Sequence, residues 1–225
     1  MTMDAAAPLL TAARFGRSII GLMALLLLAL PAQAALSCPP SPAVIEIERA
    51  IEPPRIDNTL RLPALQRLAG HPRAGRALGL YKARLAAHWT IAYRHADEGG
   101  QACRWIEKVV VKLSMPFRMI YIVRERRPGT CAYETVLGHE REHQAIDDAV
   151  VEEYRPRLRS AAMDAIRSLP AAVLRASGPG AAEQLAAPIS AALERTLDAL
   201  KREREARQKA VDSPEEYRRV NAACG

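Results

Sequence analysis

Residues 131–155 read CAYETVLGHEREHQAIDDAVVEEYR. With His139 set at 0° and a helical step of about 100° per residue, Ala132, Val136, His143, Ile146, Val150 and Tyr154 fall within about 80° of arc. That period predicts a helix from about Cys131 to Arg155, where Pro156 should break or kink it. Both histidines sit in the middle of its apolar stripe, where an imidazole needs a partner. One reading is a pair of hydrogen-bonded core histidines. The other follows from spacing, because His139-Glu140-Arg141-Glu142-His143 fits the pattern His-Glu-x-x-His. Positions i and i+4 are offset by about 40° and one turn, so both rings can reach one ion. Glu140, about 100° from His139, would flank that ion rather than bind it. There it can take a proton from an activated water and pass it to a leaving amine.

The residue types therefore predict zinc, with His139 and His143 as ligands and Glu140 as general base. The same five residues also fit the inverted pattern His-x-x-Glu-His, with Glu142 as base. Both acids flank the mean histidine direction at about 80°, and the preceding strands favour Glu140. A catalytic zinc usually wants three protein ligands, and the third is not readable. Asp147, one turn past His143, suits a role in orienting that ring better than ligation. Glu153, Glu183 and Glu194 on helical stretches, and His88 and His95 in the strand region, are weaker candidates. For each, an ordinary surface or helix-pair role competes.

Upstream, the stretch ending in Trp89-Thr90-Ile91-Ala92-Tyr93 favours β structure. Asp97-Glu98-Gly99-Gly100 reads as a turn, and Arg104–Leu113 as a second strand around Val109-Val110-Val111. Met115-Pro116 punctuates, and Phe117–Arg124 reads as a third strand before the turn Arg127-Pro128-Gly129-Thr130. The expectation is an antiparallel meander of about three strands feeding the motif helix. Residues 35–60 read as a Pro-rich lead-in. Residues 61–78 suggest one short helix and a turn at His71-Pro72. Downstream, Ala181–Val211 reads as a long charged helix, and Ser213-Pro214-Glu215-Glu216 carries a capping box opening a last short helix. The fold class expected is α+β: a small antiparallel sheet on the motif helix, then C-terminal helices. The domains are 61–176 for the core and 177–225 for the helical segment.

The first 34 residues do not belong to that fold. Arg14 and Arg17 precede the apolar run Ile19–Leu30, and Pro31-Ala32-Gln33-Ala34 offers a cleavage site. This is the pattern of a secretory signal peptide. An uncleaved anchor is the competing reading, and the one route to a membrane. Loss of Arg14, Arg17 and Asp4 takes the formal net charge from +7 to +6. A basic surface in an exported protein fits contact with anionic envelope polymers. No basic cluster is interleaved with aromatics as a nucleic-acid strand would require. The four cysteines, Cys38, Cys103, Cys131 and Cys224, predict two disulfides in a periplasmic or secreted protein. Of three pairings, Cys103–Cys131 with Cys38–Cys224 is favoured, tying strand to helix and end to end.

The order of strand, Cys103, Val-rich strand, Pro116, strand, Cys131 and Leu137-Gly138-His139-Glu140-Arg141-Glu142-His143 resembles uncharacterised secreted bacterial proteins predicted to be zincin-type metallopeptidases. The resemblance spans roughly residues 79–160. It implies His139 and His143 as zinc ligands and Glu140 as base. Ala149 stands where a metzincin would place a further histidine, which argues against that subclass. The function expected is an exported zinc-dependent hydrolase acting on a peptide or protein, held by strand addition, with Phe117–Arg124 as a candidate edge. The alternatives are a non-catalytic zinc-binding envelope protein and a metal-free basic structural protein.

Overall fold

Strand β4 (Gln101–Ile122) is the spine on which every other strand pairs. Strand β3 (Gly79–Glu98) runs antiparallel along one side of it, from Gly79 opposite Ile122 to Glu98 opposite Gln101. Two short strands, β1 (Val44–Ala50) and β2 (Arg55–Asp57), lie parallel to β4 along its other side. The computed structural model describes residues 42–70, 77–98 and 101–224. The signal-peptide reading, Cys38 and the His71-Pro72 turn lie outside the described residues.

The sheet is thus mixed, not an antiparallel meander. The lead-in accounts for the difference, because Val44-Ile45-Glu46-Ile47 alternates and buries Ile45 and Ile47 on the core side. Asn58 then fixes the chain after β2, its amide donating to the carbonyls of Ile122, Val123 and Arg126 at 2.9–3.1 Å. Helix α1 (Leu62–Ala69) follows, with Leu65 buried.

Pro116 does not end a strand, as the sequence suggested. The β3 ladder skips from Ala86 opposite Ser114 to Arg84 opposite Phe117, which is a bulge. On the other side, β1 ends opposite Ser114 and β2 begins opposite Met119. Pro116 therefore sits where neither neighbour asks for its missing N–H. The bulge also changes the phase of the strand. Val109, Val111, Leu113 and Met115 are buried before it, and Arg118, Ile120 and Ile122 after it. Phe117–Arg124 is consequently no edge, since its strand portion lies between β2 and β3.

Helix α2 (Cys131–Arg167) carries Pro156 in its interior without stopping. A mid-helix proline costs about 3 kcal/mol. Burial beyond it offsets that cost, because Leu158, Ala162 and Ala165 pack with Leu185, Ile189 and Leu193 of helix α4 (Ala181–Val211) and with Val109 and Val111 of the sheet. A short turn, α3 (Ala171–Leu174), links the two long helices, and α5 (Pro214–Ala222) follows α4. No helix among the described residues is long and apolar enough to cross a membrane.

Candidate metal centre

Thr130 caps α2, its hydroxyl accepting the Tyr133 N–H at 3.3 Å. Two turns later the helix delivers His139, Glu140 and His143, all buried. Strand β3 begins beside them at Gly79. A Cβ at that position would lie 2.6 Å from Val136 Cγ1 and 2.9 Å from Glu140 Cδ. Only glycine lets the strand approach this closely, and the Tyr81 backbone then hydrogen-bonds Glu140. Glu142 lies outside the cavity, although its carboxylate comes within 4.8 Å of ligand atoms of His139 and Glu216. It is exposed, with Arg219 at 3.8 Å. Of the two acids in the motif, Glu140 lines the cavity of about 730 Å³ that opens over the histidines.

The far wall comes from the end of α4 and from α5. Asp212 caps α4 at its C-terminus, and its Oδ1 lies 3.5 Å from His139 Nε2 and 3.2 Å from His143 Nε2. Each ring is held from behind on Nδ1. His139 faces Glu216 at 3.4 Å, and His143 faces the Gln208 amide oxygen. The amide of Gln208 has one orientation open to it, because its NH₂ donates to the His143 carbonyl at 2.9 Å and to Asp147 Oδ1 at 2.6 Å. Its oxygen therefore accepts from His143 Nδ1–H, which leaves Nε2 as the nitrogen that faces Asp212. Tetrahedral coordination at bond lengths of about 2.0–2.1 Å sets ligand atoms about 3.3 Å apart. The two Nε2–Oδ1 separations are close to that edge, and His139, His143 and Asp212 offer ligand atoms within 4.8 Å of one another, a group that could hold a metal ion.

Asp147 is fully buried, and its carboxylate is already satisfied. Arg204 donates to it through Nε at 2.6 Å and Nη2 at 3.0 Å, and the Tyr81 hydroxyl donates at 2.8 Å. With Gln208 as the fourth donor, no lone pair remains for a metal, and Asp147 acts on His143 through Gln208. Arg118 closes this network from below, donating to the Tyr81 hydroxyl at 3.0 Å and pairing with Asp148 at 3.2 Å.

The electrostatics follow from burial against pairing. Burial pushes the Glu140 carboxyl up, to about 7, although His143 and His139 pull it back. Burial pushes both imidazoles down, but hydrogen bonds to Asp212 and the charge of Glu140 outweigh it and leave both raised. Burial raises Asp212, yet its hydrogen bonds from His139 and His143 hold it well below the usual carboxylate range. Glu216 is lowered by Arg219, and burial pushes the Tyr217 phenol up to about 12.

The remaining sequence candidates lie elsewhere. Glu153 pairs with Arg207 at 2.8 Å on the surface. Glu183, Glu194, His88 and His95 are exposed, on α4 and β3, and none lines the cavity. The expected disulfides are also corrected, because Cys131 pairs with Cys224. Both favoured pairings fail on that bond, and Cys103 is disulfide-bonded elsewhere. The reason is geometric: α5 turns back along α2, bringing Cys224 to Cys131 with Cα atoms 5.9 Å apart. Sequence reasoning missed Asp212, Glu216 and Gln208. The one available signal was an acid at the junction of two helices, just ahead of the Ser213-Pro214 cap. Comparison with protein-family models, with curated proteins and with solved structures finds no match for this chain.

Proposed function

We propose that the protein is an exported zinc-dependent hydrolase of the peptidase kind, with His139 and His143 as metal ligands and Glu140 as general base. One observation carries this reading. Both histidines turn Nε2 to a common point at the cavity wall, while Nδ1 of each is held by an acceptor behind it. Core histidines need partners but have no reason to converge. Held acceptors behind convergent rings are the arrangement by which proteins set metal-binding imidazoles. A zinc ion there supplies a polarised water and positive charge for the oxyanion.

The chain's own groups supply the rest. Glu140, buried and poised near neutrality, takes a proton from the attacking water and returns it to the leaving amine. The Tyr81 backbone hydrogen bond fixes its carboxylate on the cavity side. Leu78, Val136 and Val220 form an apolar wall beside it, which limits water around the reacting groups. Strand β3 pairs with β4 on one side and starts at the cavity. Its other edge, rather than Phe117–Arg124, is the place for an extended peptide to lie. The disulfide fits an oxidising compartment.

Metal analysis tests the reading. The protein lacking its signal should hold about one zinc per chain, and a His139→Ala, His143→Ala variant none. Equal absence of zinc in both, with both folded, would sink it. Glu140→Gln should keep zinc and lose hydrolysis of a peptide library by about 100-fold or more. Undiminished cleavage would leave a metal centre without this mechanism.

A further inference from the structure

Helix α2 supplies the histidines, but the acids that face their ring nitrogens come from one segment, Asp212–Cys224. Asp212 opens it. Ser213 caps α5, accepting the Glu216 N–H at 3.1 Å, which turns Glu216 to His139. The Tyr217 hydroxyl lies 3.4 Å from Asp212 Oδ1. Asp212 is therefore bracketed by both histidines and a phenol, on a side chain 44% exposed.

Little else holds this segment. Helix α5 has nine residues and no buried one, and a helix that short does not persist in water by itself. Val220 rests against the cluster of Val136 and Leu137. The Arg219–Glu142 pair is exposed on both sides and contributes little. The strong tie is the Cys131–Cys224 bond. Cys131 is the first residue of α2, so the far end of the segment is fastened to the helix that carries His139 and His143.

We propose that Asp212–Cys224 is a disulfide-held arm that completes the metal centre, with Asp212 as the third ligand, Glu216 fixing His139, and the Cys131–Cys224 bond keeping both in place. This rests on the zinc reading above. It makes the centre responsive to compartment. A dithiol that opens the bond passes two electrons and two protons to the sulfurs, leaving Cys131 and Cys224 as thiols and itself closing to a disulfide. The arm is then tethered at one end only. Metal affinity falls, and by reciprocity bound zinc protects the bond from reduction. A chain still in a reducing compartment keeps a weak centre, and oxidation after export tightens it.

The test is zinc affinity by competition with a chromophoric chelator, using the oxidised protein, a Cys131→Ser, Cys224→Ser variant, and Asp212→Asn with the bond intact. Removing the bond should weaken binding roughly 10- to 100-fold, and Asp212→Asn at least as much. The two changes combined should cost less than their product, because they act through one arm. Zinc bound as tightly without the bond overturns the latch. Unchanged affinity in Asp212→Asn overturns the ligand. No zinc in the oxidised parent overturns the underlying metal reading instead. If the serine variant fails to fold, the parent still decides. Zinc should slow tryptic cutting after Arg218 and Arg219, read by mass spectrometry, and an unchanged rate overturns the arm.

Discussion

The two histidines of the centre are one helical turn apart and are held in opposite ways. Behind His143 stands a chain of half-buried and buried groups, Gln208, Asp147, Arg204, Tyr81 and Arg118, in which the Asp147 carboxylate is fully enclosed. Behind His139 stands Glu216, on a short helix with no buried residue. One ring is therefore set by the core of the fold and the other by a surface segment. The first cannot move without disturbing α2, α4 and the sheet together. The second can be released while the core stays intact.

The largest effect should come from breaking the buried side. Asp147→Ala leaves the Arg204 guanidinium, the Tyr81 hydroxyl and the Gln208 amide without their shared acceptor. Loss of one partner from a buried ionic network costs on the order of 3–5 kcal/mol, so urea unfolding should shift by that amount. A shift under about 1 kcal/mol would place the network in solvent-like surroundings. Next is Gly79→Ala, which puts a methyl into Val136 and Glu140. Overpacking of this kind costs about 1–3 kcal/mol, and displacement of Glu140 should lower hydrolysis more than zinc binding.

A sharper comparison sets Gln208→Leu against Glu216→Gln. The first removes the acceptor that fixes the His143 tautomer and should weaken zinc about 10- to 100-fold. The second keeps an acceptor on an exposed arm and should cost less than tenfold. The reverse order would show that the arm, not the core, sets the rings.

The smallest effect is a pH trend in the metal-free protein. Glu140 holds its proton to about 7 when folded, against 4.5 for its ordinary value, so its burial penalises folding progressively between those values. His139 and His143, both raised, stabilise the fold below about 6.5 and lose that contribution as pH rises through their folded values. Asp212 and Glu216, both lowered, contribute above about 4 and lose it only in acid. The Tm should therefore decline from about pH 5.5 to 8, less steeply in Glu140→Gln. A flat profile in both proteins would remove Glu140 and the histidines as its cause.

The elements that bury a stripe were legible in the sequence. The motif stretch, the Ala181–Val211 helix and the Ser213 cap all follow from periodicity and capping chemistry. So do the β3 and β4 stretches before Pro116. What escaped is non-local. Strands β1 and β2 are too short and too close to prolines to announce a parallel pairing with a strand some sixty residues on. Pro116 reads as a stop unless both neighbouring ladders are known to skip it. Pro156 reads as a break unless the burial of Leu158 beyond it is known. Within the site, His139, Glu140 and His143 are local and readable. Asp212 lies 69 residues from His143 at a helix junction that has no periodicity to betray it. The disulfide turned on the same blindness, because four cysteines carry no pairing information without the path of α5.

Cys131 and Cys224 are the third and fourth cysteines of the chain. A polypeptide that crosses a membrane N-terminus first presents them in that order, after the first two. Were the chain exported as proposed, an oxidase that joins sulfurs as they arrive would make this bond only once Cys224 emerges. The bond has to wait for 93 further residues after Cys131. By then β4, α2 and α4 have all emerged, and the cleft is the last part of the molecule to be finished.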